Sequence, residues 1–392
     1  MDTPHADPFT LTLEELRRRT SQKWRHYPAD VIPAWIAEMD VLPAPAVIEA
    51  VAEAIRTGDT GYSMSEGYRA AMAGFARDRW GWSFDPDEAC GVADVMSGIG
   101  ALIRALTDPG DAVVISPPVY PPFFEVVATT GRRVVEAGLG DDGRLDPAAL
   151  EDAFRDGGRV YLLCNPHNPT GVVHRPDELA RLAELASEYR VHVLSDEIHA
   201  PLVYRRAAFT PYLSVPGTAS AFSILSASKG WNLAGLKAAI VVPGADGVDT
   251  VRAWPHLITD GATHIGVIAQ TAALTAGGDW LDAVVDAVER RADELAVLLR
   301  EHVPGIGYRV PDGTFLAWLD CRELDLGDDP AAVILERGRV ALTSGSWFGR
   351  AGRGFVRLNM GTSADLLGRI VQGIARASPV RERPVAAVPK PG

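Results

Sequence analysis

The sequence is poor in cysteine. Cys90, Cys164 and Cys321 lie far apart, without the paired spacing of a metal site or a disulfide framework. They read as reduced thiols, which suits the cytoplasm. The histidines are equally scattered, and none shows metal-ligating spacing. Long apolar runs are missing as well: none approaches the roughly 18 residues that a membrane span needs. The first residues, from Met1 to Pro8, lack a basic region followed by an apolar stretch, so no secretory signal is expected. Positive charge is in deficit. The 38 Lys and Arg against 51 Asp and Glu leave a net charge of −13, spread along the chain. Such a balance argues against a nucleic-acid partner and against an anionic membrane surface. No internal repeat is evident.

What is present is an ordinary globular composition, 47% hydrophobic and 23% charged. A chain of 392 residues is too long for one compact core, so two domains are expected. Residues 1–45 are loop-rich. Helices are expected over 46–56 and 67–80, with the glycine-punctuated loop 58–63 between them. From residue 112 strands and helices alternate: strands over 112–115, 134–137, 160–164, 191–194, 221–225 and 238–242, helices over 123–129, 147–154 and 176–189. That alternation predicts an α/β fold with a mainly parallel sheet flanked by helices. A long helix over 278–303 leads to a smaller α+β domain, with strands over 314–319 and 354–358 and helices over 330–338 and 363–377.

Three polar clusters each follow a strand-like run. They are Asn165-Pro-His-Asn-Pro-Thr-Gly171, Ser195-Asp-Glu-Ile-His199 and Ser226-Ala-Ser-Lys229. In an open parallel sheet, ligands bind outside the carboxyl ends of the strands. The topology therefore gathers an amide (Asn168), a carboxylate (Asp196) and an amine (Lys229) on one edge. A lysine at the end of a buried strand is unusual, because burial favours the neutral, nucleophilic amine. A fourth stretch, Asp94-Val-Met-Ser-Gly-Ile-Gly100, opens a helix placed over 101–107 with small residues, whose exposed N–H groups suit an anion. It is not a dinucleotide fingerprint, since Ile103 stands where the third glycine would be. Ser226-Ala-Ser-Lys229 also fits the Ser-x-x-Lys pattern of penicillin-binding proteins, but the Ser-Asp-Asn and Lys-Thr-Gly partners of that pattern do not occur.

In this order the three clusters resemble the fold-type I pyridoxal 5′-phosphate enzymes of the class I/II aminotransferase superfamily. More narrowly, the chain resembles the cystathionine β-lyase-like, carbon–sulfur lyase branch. That likeness is carried by Lys23-Trp24, Trp35-Ile-Ala-Glu-Met-Asp40, Pro118-Val-Tyr-Pro-Pro-Phe123, Ser195-Asp-Glu-Ile-His199 and Asn232-Leu-Ala-Gly-Leu-Lys237. It runs over about 13–375. The resemblance implies an N-terminal segment, 1–45, packed on the small domain, and a large cofactor-binding domain over 46–285. A small C-terminal domain would cover 286–377, and a Pro-rich, charged tail, 378–392, would be disordered.

The resemblance also implies roles. Lys229 would bind the cofactor covalently and then shuttle the substrate Cα proton. Asp196 would pair with the pyridine nitrogen. Asn168 would donate to the phenolic oxygen, with His199, where many relatives have tyrosine, supporting the same place. Tyr120 would stack on the ring. Ser97, Gly98, Ile99, Ser226, Ser228 and Lys237 would hold the phosphate. Arg357 would grip the substrate α-carboxylate with two parallel bonds. Tyr62 would reach the neighbouring subunit's site, making a homodimer with shared active sites. Asp40 and Trp35 would border the substrate entrance. Glu197 reads as a surface acid at a strand end, and His167 as shaping the Asn-Pro turn. Three functions fit these residues: a β-lyase acting on cystathionine or another cysteine S-conjugate, including a specialised biosynthetic enzyme for one large conjugate; an aminotransferase; and, in another class, a cofactor-binding regulatory protein.

Overall fold

A computed structural model gives the fold and describes residues 6–378. Apart from Ser378, the tail expected to be disordered lies outside the described residues. Seven strands form the main sheet: β1 (Cys90–Val92), β2 (Ala112–Ile115), β3 (Arg133–Glu136), β4 (Gly158–Cys164), β5 (His192–Asp196), β6 (Phe222–Leu225) and β7 (Ala239–Pro243). Their order is β1-β7-β6-β5-β4-β2-β3. From β6 to β3 all neighbours pair in parallel, whereas β7 runs antiparallel to β6 and β1. The short edge strand β1 was not expected from the sequence.

The strands are apolar on both faces, and successive residues enter two different cores. Val113, Ile115, Val160, Leu162 and Cys164 pack on one side, with the helices Val95–Leu106 and Pro122–Thr129. Val114, Tyr161 and Leu163 pack on the other, with Pro147–Arg155 and Pro176–Tyr189. This is the two-residue period of a strand buried on both sides. Each fully buried Val, Ile or Leu contributes about 1.5–3 kcal/mol. Helix starts follow local chemistry: Pro122, Pro147 and Pro176 sit in first turns, where no N–H partner is needed. Asp146 caps Ala148 and Ala149 with its carboxylate.

The smaller sheet is antiparallel, with strands β8 (Gly307–Tyr308), β9 (Leu316–Asp320), β10 (Thr343–Ser344) and β11 (Phe355–Asn359) in the order β10-β11-β9-β8. The strand expected from residue 314 begins only at Leu316, because Thr314 takes a positive φ of 69°. The helix expected over 330–338 is α-helical only at Pro330–Val333 and continues as a wider turn over Ile334–Gly338. The boundary placed at 285/286 falls inside one unbroken helix, Gly278–His302. Its stripe of Leu281, Val284, Val288, Leu295 and Leu299 shares one core with β9, β11 and the helix Ala364–Ala377. Within the N-terminal segment, Ile32–Pro33 pairs in parallel with Val340–Ala341. Leu16 and Trp24 pack on Leu366. This contact carries residues 35–40 across to the main sheet.

Candidate active site

The parallel register brings the carboxyl ends of β1, β2, β4, β5 and β6 to one edge, where Cys164 pairs with Asp196 and Asp196 with Ile224. Because β7 is antiparallel, its start, just after Lys237, lies at the same edge. A cavity of about 510 Å³ opens there. It is lined by Tyr120, Asn168, Asp196, His199, Ser226, Ser228, Lys229, Lys237 and Arg357 among the expected residues, and also by Ile36, Ala37, Asp94, Val95, Met96 and Glu125.

Lys229 stands at the turn after β6. Its Nζ donates to the Ala37 carbonyl at 3.0 Å. Burial, then the nearby Arg357 charge, push its amine down to about 8, against the opposing pull of Asp196 and Glu38. Asp196 ends β5 and is buried, with its carboxylate accepting from the Ile198 N–H at 3.1 Å. Burial pushes it up to about 6, with that bond and the Lys229 charge opposing. Among the described residues no cation lies within ion-pair distance of it. Glu197, expected at the surface, is instead fully buried. Its Oε1 accepts from Ser195 Oγ at 2.9 Å and Tyr212 N at 2.8 Å, and burial pushes it up to about 7.

Arg357 comes from β11, at the register position facing Trp318 and Thr343. It is 6% exposed. One Nη donates to Asn168 Oδ1 at 3.0 Å; the other donates to the Trp35 carbonyl at 3.0 Å and to Thr343 Oγ1 at 3.3 Å. Its guanidinium lies over Phe348, 5.1 Å from the ring centre. Nε has no partner, and no carboxylate pairs with the group among the described residues. Burial alone pushes it down to about 10, with Tyr120 opposing. A buried guanidinium without a carboxylate partner suits an anion.

His199 is buried beside Phe315, and burial, then Lys229 and Arg357, hold it neutral with a pKa near 3. Tyr120 sits at the cavity wall, its phenol pushed up to about 12 by burial and by Asp196. His167 keeps to the Asn-Pro turn, where Nδ1 meets Thr170 Oγ1 at 3.0 Å.

Several expected residues stand elsewhere. The helix expected from residue 101 begins at Val95, with Asp94 as its cap, so Ser97, Gly98 and Ile99 are already inside it. The Ser97 N–H goes to Asp94 Oδ1 at 2.8 Å. Gly98 and Ile99 are buried against the sheet, and a Cβ on Gly98 would meet Val241 at 3.0 Å. Val95 and Met96, in the first turn, line the cavity, and their N–H groups have no carbonyl one turn back within the helix. An aspartate immediately before an apolar run is the cap signal that would have found this start. Lys237 lines the cavity and donates to Asp94 Oδ2 at 2.7 Å. The Ser226 hydroxyl is committed to the Ala238 carbonyl at 2.7 Å, leaving Ser228 as the hydroxyl at the cavity. Asp40 does not line the cavity. It pairs with Lys23 at 2.6 Å, the two side chains being 4% and 1% exposed. Trp35 contributes its carbonyl, while its ring packs on His26 and Tyr27. Tyr62 is 99% exposed and lies away from this chain's own cavity. Neither Thr343 nor the Ala37 carbonyl was marked out by spacing or residue type along the chain.

The protein-family model for aminotransferase class I and II matches residues 32–374. The chain belongs to that family. A Mycobacterium leprae relative whose name, cystathionine beta-lyase, is provisional is 49% identical over 389 residues, covering 94% of this chain and 97% of that protein. The cystathionine beta-lyase of Corynebacterium glutamicum is 34% identical over 371 residues, covering 93% and 98%. A solved Corynebacterium diphtheriae structure, provisionally described as a PLP-dependent beta-cystathionase, matches with a TM-score of 0.90 at 34% identity, covering 94% of this chain and 98% of that one. The class I/II site seen here suits pyridoxal phosphate in its donor set. First-turn N–H groups, Ser228 and Lys237 suit a phosphate, the buried carboxylate of Asp196, which has no cation partner among the described residues, a protonated ring nitrogen, and Lys229 an aldehyde. Among the described residues no His, Cys, Asp and Glu group could hold a metal ion, and no helix is long and apolar enough to cross a membrane.

Proposed function

We propose that the chain uses pyridoxal 5′-phosphate to catalyse β-elimination from cysteine S-conjugates, cystathionine among them. Conjugate and water give thiol, pyruvate and ammonia. One observation carries the choice of reaction: of the cations lining the cavity, Lys237 is paired with Asp94 and Lys229 is the amine, so Arg357 is the one guanidinium left for an anion. An aminotransferase for dicarboxylates needs a further cation, and none beyond these three lines the cavity among the described residues.

When bound, the cofactor supplies an electron sink for the pair left on Cα. Asp196 keeps the ring nitrogen protonated. Val95 and Met96 N–H, Ser228 and Lys237 hold the phosphate. Asn168, its Oδ1 held by Arg357, presents its amide N–H₂ to the phenolic oxygen, beside neutral His199. Tyr120, at the cavity wall, would pack against the ring. Arg357 fixes the α-carboxylate, which orients the Cα–H and Cβ–S bonds. Lys229, with its lowered pKa, takes the Cα proton as a neutral amine. The Cβ–S bond then breaks, the sulfur leaving with its electron pair as a thiolate.

The enzyme is proposed to act as a cytoplasmic homodimer. Three unpaired cysteines support the compartment, and fully exposed Tyr62, with exposed Ile48, Ile55 and Met64 nearby in the chain, supports the pairing. The deciding experiment is product analysis. Cystathionine or a simpler S-conjugate should yield pyruvate and ammonia with no keto-acid acceptor added. Keto-acid-dependent amino transfer without pyruvate across a broad conjugate panel would make the protein an aminotransferase instead.

A further inference from the structure

Behind the Lys229 turn lies a buried carboxamide that the reaction does not use. Gln270, on the helix His264–Ala276, is fully buried. Its Oε1 is approached by three groups: Tyr68 Oη at 2.7 Å, the Ala227 N–H at 3.0 Å and Ser226 Oγ at 3.1 Å. The serine's one proton serves the closer Ala238 carbonyl, at 2.7 Å. The Gln270 Nε2 donates to the Leu236 carbonyl at 2.8 Å. This fixes the amide's direction, since a flipped amide would set N–H against the Ala227 N–H and oxygen against the Leu236 carbonyl.

All of these groups are out of water. Tyr68, Ser226 and Ala227 are each buried, and burial pushes the Tyr68 phenol well above the usual tyrosine range, so it remains a donor. With no solvent to replace it, the Gln270 oxygen is the nearer acceptor for the Ala227 N–H, at 3.0 Å against 3.4 Å for Tyr68 Oη. Ala227 lies two residues before Lys229, and Leu236 one residue before Lys237. The same carboxamide therefore ties down both ends of the loop that carries the two cavity lysines. The Ser228 N–H completes the turn by donating to Ser226 Oγ at 3.1 Å.

We propose that Gln270 is a positioning residue for Lys229, its carboxamide setting the direction from which the amine enters the cavity. The proposal rests on the reading of Lys229 given above. Gln270 touches neither substrate nor cofactor; it acts through the backbone of Ala227. A displacement of 1 Å in a reacting group costs on the order of 10²-fold in rate, so a loosened turn shows in kcat before it shows in binding.

The test uses the holoenzyme and the variants Gln270→Leu, Gln270→Glu and Tyr68→Phe. Gln270→Leu should lower kcat by about 10- to 10²-fold with KM changed little. It should also shift the pH midpoint of the lysine-linked cofactor absorbance, while borohydride still fixes the cofactor on Lys229. Gln270→Glu, which when protonated can both accept from Ala227 and donate to Leu236, should recover most of the loss at low pH and lose it as pH rises. Tyr68→Phe should move the same readouts less. A purely structural role would lower the melting temperature and leave the absorbance midpoint and the kcat of the folded enzyme unchanged, and that result overturns the proposal. If Gln270→Leu does not fold, unaltered midpoints and kcat in both other variants overturn it equally. Borohydride label on another lysine in the unaltered enzyme would instead sink the reading of Lys229, and this inference with it.

Discussion

Arg357 reaches out of the small sheet to donate to Asn168 Oδ1 at 3.0 Å. The bond joins β11 to the loop after β4, so the group proposed to bind a substrate carboxylate also holds the amide proposed to face the cofactor. Phe348, beneath the guanidinium, and Thr343 and Trp35, at its second nitrogen, leave it little freedom.

Arg357→Lys keeps the charge and loses the fork. A hydrogen bond to a charged group contributes about 1.5–3 kcal/mol, so kcat/KM for a cysteine conjugate should fall roughly 10- to 150-fold. Steady-state kinetics check this, and an unchanged kcat/KM would remove Arg357 from the carboxylate site. Conjugates lacking the α-carboxylate should lose as much in the unaltered enzyme and little further in the variant.

Asp40 is paired with buried Lys23 and does not line the cavity. Lys23 Nζ bonds both Asp40, at 2.6 Å, and the Glu38 carbonyl, at 2.8 Å, away from water. Asp40→Ala strands a buried charge and should cost about 3–5 kcal/mol in urea unfolding. The double variant Lys23→Met/Asp40→Leu should lose much less. Equal losses in the two proteins would contradict the pairing argument.

His167 should make the protein sensitive to acid. Burial pushes its pKa down to about 3, with a bond to the Ser116 backbone opposing. An unfolded histidine binds a proton near pH 6.5 and the folded one does not until about pH 3, so stability falls as pH drops through that window. The slope is about 1.4 kcal/mol per pH unit below the unfolded pKa. Replacing it by glutamine should flatten the acid limb of a stability–pH curve by at least that amount relative to the unaltered protein, since buried His174, 6.1 Å away and held down in part by His167, then takes its proton more readily. Parallel curves would show that His167 takes its proton while folded.

Tyr62 tests the proposed dimer. If it completes a neighbour's site, inactive Tyr62→Ala and inactive Lys229→Ala subunits should restore activity on mixing. Half the dimers are then mixed and each has one intact site, which gives roughly a quarter of full activity. A fully active monomer by light scattering would end the shared-site reading.

The sequence by itself determined the α/β alternation, the strand ends and the chemistry placed on them. Apolar periodicity fixes which runs are strands, and a parallel sheet puts Asn168, Asp196 and Lys229 on one edge whatever the loops do. It also showed that Arg357 belonged to a strand. Only the tertiary structure decided which groups were already spoken for. Asp40 looked free until Lys23 was seen buried against it, and Ser226 until its hydroxyl met Ala238. Glu197 looked like a surface acid until the sheet closed over it. The start of the Val95–Leu106 helix placed Val95 and Met96, rather than Ser97, Gly98 and Ile99, at the cavity in its first turn. Gln270 carried no local signal, because its partners Tyr68, Ala227 and Leu236 are distant from it in the chain. Spacing along a sequence reports secondary structure, whereas hydrogen-bond partners and counter-ions depend on which distant residues packing brings within about 3 Å.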